Sequence, residues 1–179
     1  MSEATSLVLG GIRSGKSRFA ESLLPASAPV RYLATGSSVR DDAAWAHRVA
    51  AHRSRRPTHW TTAETTDIAG ELRTGDAVPT LIDDLGGWLT AMMDSRGAWE
   101  RGGEVVTADI GALVDAIDAY SSDLVIVSPE VGLAIVPATA SGRLFADQLG
   151  ALNQAVAQRC QCVFLVVAGQ PLAIKGATA

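Results

Sequence analysis

Two cysteines and an aromatic share of 5% leave this 179-residue chain poor in sulfur cross-links and in rings. Cys160 and Cys162 stand two residues apart, poor spacing for a disulfide between elements and too few ligands for a zinc site. Both read as reduced thiols near a strand start. No stretch of about 18 apolar residues occurs, so no membrane-spanning helix is expected. The first six residues carry Glu3 and no basic cluster, which argues against a secretory leader. Basic residues are the minority: 15 Lys+Arg against 19 Asp+Glu give a net charge of −4. With a pI near 5.3, wholesale nucleic-acid binding is not expected either. The chain reads as cytoplasmic.

What is present is a hydrophobic content of 47%, rich in Ala and branched aliphatics, with 17 glycines. A chain of this length buries roughly 70% of its unfolded surface, enough for a core without disulfides or metal. Residues 1–179 read as a single domain, with no linker or internal repeat. Short apolar runs at 6–9, 30–34, 80–82, 124–127 and 163–167 predict five strands. Amphipathic spacing predicts helices over 17–24, 41–52, 64–73, 88–93, 105–120 and 143–159. Strands separated by helices imply an α/β fold with a central, mostly parallel sheet flanked by helices.

The strongest local signal is Gly10-Gly11-Ile12-Arg13-Ser14-Gly15-Lys16-Ser17. It matches the G-x-x-x-x-G-K-[ST] phosphate loop, with a strand before it and a helix after it, as the motif requires. The glycines let backbone N–H groups turn toward phosphate oxygens at a helix start. In that scheme Lys16 reaches the β and γ phosphates and Ser17 ligates Mg²⁺. The expected fold is thus a P-loop NTPase domain of the RecA-like kind. A P-loop also needs a carboxylate at the end of a neighbouring strand, and Thr80-Leu81-Ile82-Asp83-Asp84 supplies two. Asp83 directly follows the apolar run and is the metal candidate, whereas Asp84 also suits the cap of the next helix.

A second signal is local charge. Arg48, Arg53, Arg55 and Arg56 and all three histidines, His47, His52 and His59, fall within fourteen residues of an otherwise acidic chain. This pattern fits either a solvated basic helix end or a polyphosphate site. His47 and His52 lie about 140° apart around a helix and would not chelate one ion. A histidine among arginines is held neutral by like charge, the state a nucleophile requires. Spacing alone does not choose among the three.

Further segments join these two signals: Tyr32-Leu33-Ala34-Thr35, Arg56-Pro57 and Thr62-Ala63-Glu64, then Glu130-Val131-Gly132 with Val136-Pro137. Gly142 to Asp147, Leu152-Asn153-Gln154 and Val166 to Lys175 complete the set. In this order the chain resembles the bifunctional adenosylcobinamide kinase / adenosylcobinamide-phosphate guanylyltransferase family of vitamin B12 biosynthesis. The resemblance implies that His52 attacks the α-phosphate of GTP and carries GMP to adenosylcobinamide phosphate. It also implies a kinase step on adenosylcobinamide from ATP or GTP, with Mg²⁺ held by Ser17 and Asp83. Lys16 and His52 are the implied catalytic residues. Gly10 to Ser17, Ala34, Thr35, Gly36, Arg53, Arg56, Glu64 and Asp83 are the implied nucleotide contacts. A homo-oligomer, a trimer by the same resemblance, is expected. The chain departs from the family pattern at Asp84 to Trp88 and Ala91, and at Pro129, where asparagine is usual. The alternatives are a P-loop small-molecule kinase without a covalent histidine and a GTP-binding switch; the N-K-x-D guanine motif of a switch is missing.

Overall fold

The apolar runs do become strands, and their alternation sorts side chains onto two covered faces. The structure, a computed structural model, describes residues 4–35 and 57–176. In chain order the elements are β1 (Thr5–Gly10), α1 (Lys16–Ser22), β2 (Arg31–Ala34), β3 (Thr61–Glu64), α2 (Ile68–Thr74) and β4 (Thr80–Asp83). They continue with α3 (Leu85–Arg96), α4 (Ala98–Arg101), a 3-10 turn at Gly103–Val106, α5 (Thr107–Asp118) and β5 (Leu124–Pro129). The chain closes with α6 (Ala140–Arg159), β6 (Cys162–Val167) and β7 (Gln170–Lys175). One seven-stranded sheet has the order β3-β2-β4-β5-β1-β6-β7. All neighbours pair parallel except β6 and β7. In this sheet β5 lies between the phosphate-loop strand and the strand that ends in Asp83.

One face buries Leu7, Leu33, Ile82, Leu124 and Ile126 against α2, α3, α5 and α6. The other buries Val8, Tyr32, Leu81, Val125 and Val127 with Ala20 and Leu24 from α1 and its exit. Because both faces are covered, the central strands are continuous apolar runs. Phe19 of α1 meets Phe164 of β6 edge to face, with ring centroids 5.0 Å apart.

Two strands escape the sequence pattern, and both lie at sheet edges. The helix expected over 64–73 begins only at Ile68, where Asp67 Oδ1 accepts from Gly70 N at 2.9 Å. The first residue of the expected span, Glu64, instead ends the strand Thr61–Glu64, which pairs with β2. The single apolar residue of this largely exposed strand leaves no alternation to read. β7 is likewise exposed and contains Pro171, tolerated because an edge strand need not donate on both sides. Ala168 and Gly169, both at positive φ, turn the chain from β6 into β7. The helix expected from Val105 begins as the 3-10 turn and becomes α-helical at Thr107. The helix expected over 41–52 lies outside the described residues.

Cys160 is buried behind α6, and burial pushes its thiol up to about 12, against 9.0 in the open. The thiolate is the reactive form. Iodoacetamide at pH 8.5 should therefore modify half-buried Cys162 in the native protein and spare Cys160, with both modified in urea. Peptide mass spectrometry reads the difference; equal native labelling of the two would contradict the packing.

Candidate active site

The phosphate loop is built by close approach. At Gly10 a Cβ would lie 2.4 Å from Ser14 Oγ and 2.8 Å from Val166 O, so β1 must end in glycine for the loop to fold back on itself. Arg13 stands at φ 58 and Gly15 at φ 95, two left-handed residues that bend the chain into α1. Ser14 N donates to Gly11 O and Ser14 Oγ accepts from Lys16 N, each at 3.3 Å. Lys16 Nζ folds over the loop and donates to Gly11 O at 3.3 Å. Ile12 projects into solvent.

The loop is anchored from both sides. Glu130 N, just past β5, donates to Gly10 O at 3.1 Å, and Gly169 N in the β6–β7 turn donates to Ser14 O at 2.8 Å. Ser17, in the first turn of α1, directs its hydroxyl at Asp83 Oδ1, 3.4 Å away. The sequence thus predicts the Ser17–Asp83 pairing and the structure brings the two together. Tyr32 donates its phenol to Asp83 Oδ2. That partner has no motif signal. Its signal is register: Ala34 pairs with Asp83, so Tyr32 lies two residues away diagonally on the same face.

Asp84 takes the capping role that its position allows: Oδ1 accepts from Gly87 N at 2.7 Å and opens α3. Burial, then the neighbouring Asp83 charge, raises its carboxyl above the ordinary value against the opposing Gly87 N–H and Lys16. Thr35 is buried and donates its hydroxyl to Asp84 O, while its N–H donates to Asp83 O. Its polar groups therefore tie β2 to β4 behind the carboxylate. Ala34 ends β2 in register with Asp83 on one side and Glu64 on the other. Glu64 reaches the same rim, but four strand spacings, about 19 Å at the usual interstrand distance, separate its strand from β1. It is not brought to the phosphate loop. Gly36, His47, His52, Arg53 and Arg56 lie outside the described residues, and His59 is exposed in the turn before β3.

The sequence was compared with families and known proteins. The family model described as cobinamide kinase / cobinamide phosphate guanyltransferase matches residues 6–174. The chain belongs to this family. It is 37% identical over 176 residues to the bifunctional adenosylcobalamin biosynthesis protein CobP of Pseudomonas aeruginosa, covering 95% of this chain and 96% of that one. It is 35% identical over 180 residues to the bifunctional adenosylcobalamin biosynthesis protein CobU of Escherichia coli, covering 94% and 98%. Among solved structures, the P4 protein from bacteriophage phi6 in complex with ADP aligns at a TM-score of 0.45 and 14% identity. That alignment covers 94% of this chain and 52% of that one.

In this member of the cobinamide kinase / cobinamide phosphate guanyltransferase family, Gly86 and Pro129 touch. A Cβ on Gly86 would come within 2.8 Å of Pro129 Cγ, so the glycine in the first turn of α3 makes room for the proline that ends β5. Behind them Ser128 Oγ donates to Asn153 Oδ1 at 2.6 Å, and Asn153 Nδ2 donates to Pro129 O at 3.0 Å. This buried relay fixes the outlet of β5 beside the loop.

Gly15 offers a direct check of the loop geometry. A side chain there would meet both a positive φ and Gly169 Cα at 3.1 Å. Gly15→Ala should cost about 1–2 kcal/mol from the backbone alone. For a domain of this size that lowers Tm by roughly 2–8 °C. A melt unchanged within 1 °C would speak against the left-handed turn.

Proposed function

We propose that this chain phosphorylates adenosylcobinamide and then transfers GMP from GTP to adenosylcobinamide phosphate, through one nucleotide site and a covalent intermediate on His52. The observation that carries the reading is a phosphate loop facing a hydroxyl–carboxylate pair, Ser17 and Asp83, in a chain whose family joins these two activities. Lys16 neutralises phosphate charge, and the arginines around His52 keep its imidazole neutral. The imidazole nitrogen attacks the α-phosphorus, the bond to pyrophosphate breaks, and pyrophosphate leaves with the electron pair. The acceptor's phosphate oxygen then attacks the same phosphorus, and the P–N bond breaks to restore histidine. Splitting the transfer in two lets a small nucleotide and a bulky acceptor use the site in turn.

Ser17 Oγ and Asp83 Oδ1 are hard oxygen donors 3.4 Å apart, a set that fits Mg²⁺, an ion that keeps several waters and takes few protein ligands. When bound, the ion neutralises charge on the β and γ phosphates. Tyr32 holds the other carboxylate oxygen, which orients Asp83 toward Ser17. Arg53, Arg56, Gly36 and Glu64 are read as contacts to the remainder of the nucleotide. We further propose a cytoplasmic homo-oligomer, a trimer on the family pattern, formed from a single-domain protomer.

The test is labelled GTP. After incubation and denaturation, label supplied at the α-phosphate should remain on the protein as an acid-labile adduct, and label at the γ-phosphate should not. Cobinamide-dependent ATP turnover with no covalent label would leave a kinase alone and remove the transferase.

A further inference from the structure

A cleft begins at Leu9, the residue before the phosphate loop. It opens on the face of the sheet opposite α1 and encloses about 630 Å³, within the usual range of small-molecule sites. Leu9 and Val163 form its floor, and Gly150 and Gln154 of α6 stand along one side. Val136 and Ile174 are its exposed apolar lips, 72% and 59% accessible. Two of its lining residues adjoin the phosphate loop: Leu9 immediately precedes Gly10, and Glu130 donates its N–H to Gly10 O.

The wall between cleft and solvent is held at both ends. The Glu130 carboxylate accepts from Gly132 N at 2.8 Å and Leu133 N at 2.9 Å. Arg143 Nη1 donates to Pro137 O at 3.0 Å and Ala138 O at 2.8 Å. The recess is therefore formed in advance. Its volume and its position beside the phosphate loop favour a small molecule over a flat protein partner.

We propose that this cleft seats the corrinoid acceptor. The apolar edge of the macrocycle lies between Val136 and Ile174, and its aminopropanol arm runs along Leu9 and Glu130 to the phosphate loop. The amide of Gln154 and the carboxylate of Asp147 on α6 match the amide-bearing periphery of such a ligand. This assignment rests on the proposed function for the identity of the acceptor, but its location follows from the cleft.

Gly150 makes the test clean. A Cβ there meets nothing within 4 Å, so a side chain at this position starts in open space beside the cleft. Replacing a helical glycine also favours the helix. In Gly150→Phe the KM for adenosylcobinamide phosphate should rise about tenfold or more, the mark of lost acceptor binding. Gly150→Ala should behave as wild type. Formation of covalent GMP from α-labelled GTP needs no acceptor and should proceed unchanged. Equilibrium dialysis of adenosylcobinamide phosphate separates this inference from the proposed function. Weaker binding to Gly150→Phe supports the cleft whether or not His52 carries GMP, and equal binding overturns it. A variant that alters the sedimentation coefficient while leaving acceptor affinity intact marks an interface between copies, and overturns it too.

Discussion

Lys16→Ala should lower both the kinase and the guanylyltransferase rates by roughly 10²–10³-fold, the size of effect seen when one charge-stabilising donor is removed from a transfer site. The substitution isolates charge. Lys16 opens α1, alanine is the best helix former, and the side-chain hydrogen bond lost among the described residues is the exposed one to Gly11 O. The melting temperature should stay within 1–2 °C of wild type, so the deficit belongs to chemistry rather than to folding. Initial rates of cobinamide-dependent nucleotide turnover and of α-GMP labelling, taken on one preparation, measure the two arms. If either activity survives at the wild-type rate, the two reactions do not share this loop.

His52→Ala should divide the activities that Lys16→Ala removes together. Covalent label from α-labelled GTP should vanish, while the kinase step, which needs no nucleophilic histidine, should continue within a fewfold of wild type. The reason is chemical: in the proposed mechanism the imidazole nitrogen of His52 bonds the α-phosphorus, and alanine offers no replacement. Alanine at His47 or His59 should leave the label intact. A full adduct on His52→Ala would move the carrier role elsewhere and oblige a search by peptide mapping of the labelled protein.

The parts of the fold that sequence makes plain are those where two constraints coincide. β1 is both an apolar run and the strand before G-x-x-x-x-G-K-S; β4 is both an apolar run and the one that ends in Asp83. Edge strands carry only one constraint. Thr61–Glu64 and Gln170–Lys175 gain backbone pairing without burying a face, so neither carries the long apolar run of a central strand. Within the site, Ser17 and Asp83 were legible because chain position dictates their meeting. Tyr32, Asn153 and the Gly86–Pro129 contact depend on which strands and helices lie side by side. Strand order, not spacing, brings Tyr32 to Asp83 and Asn153 to Ser128. Thr35, a nucleotide contact by family resemblance, also bonds its hydroxyl to Asp84 O, a partner that strand order supplies.

The twin anchors on the phosphate loop, Glu130 N to Gly10 O and Gly169 N to Ser14 O, bear on how strongly a nucleotide is held. A loop tethered to two separate strand ends has already given up much of its conformational entropy on folding, so less is lost when phosphate arrives. Affinity then depends on the sheet edge as well as on the groups that touch the ligand. Gly169 in the β6–β7 hairpin, which lies outside the phosphate-loop motif, is thereby placed to tune it.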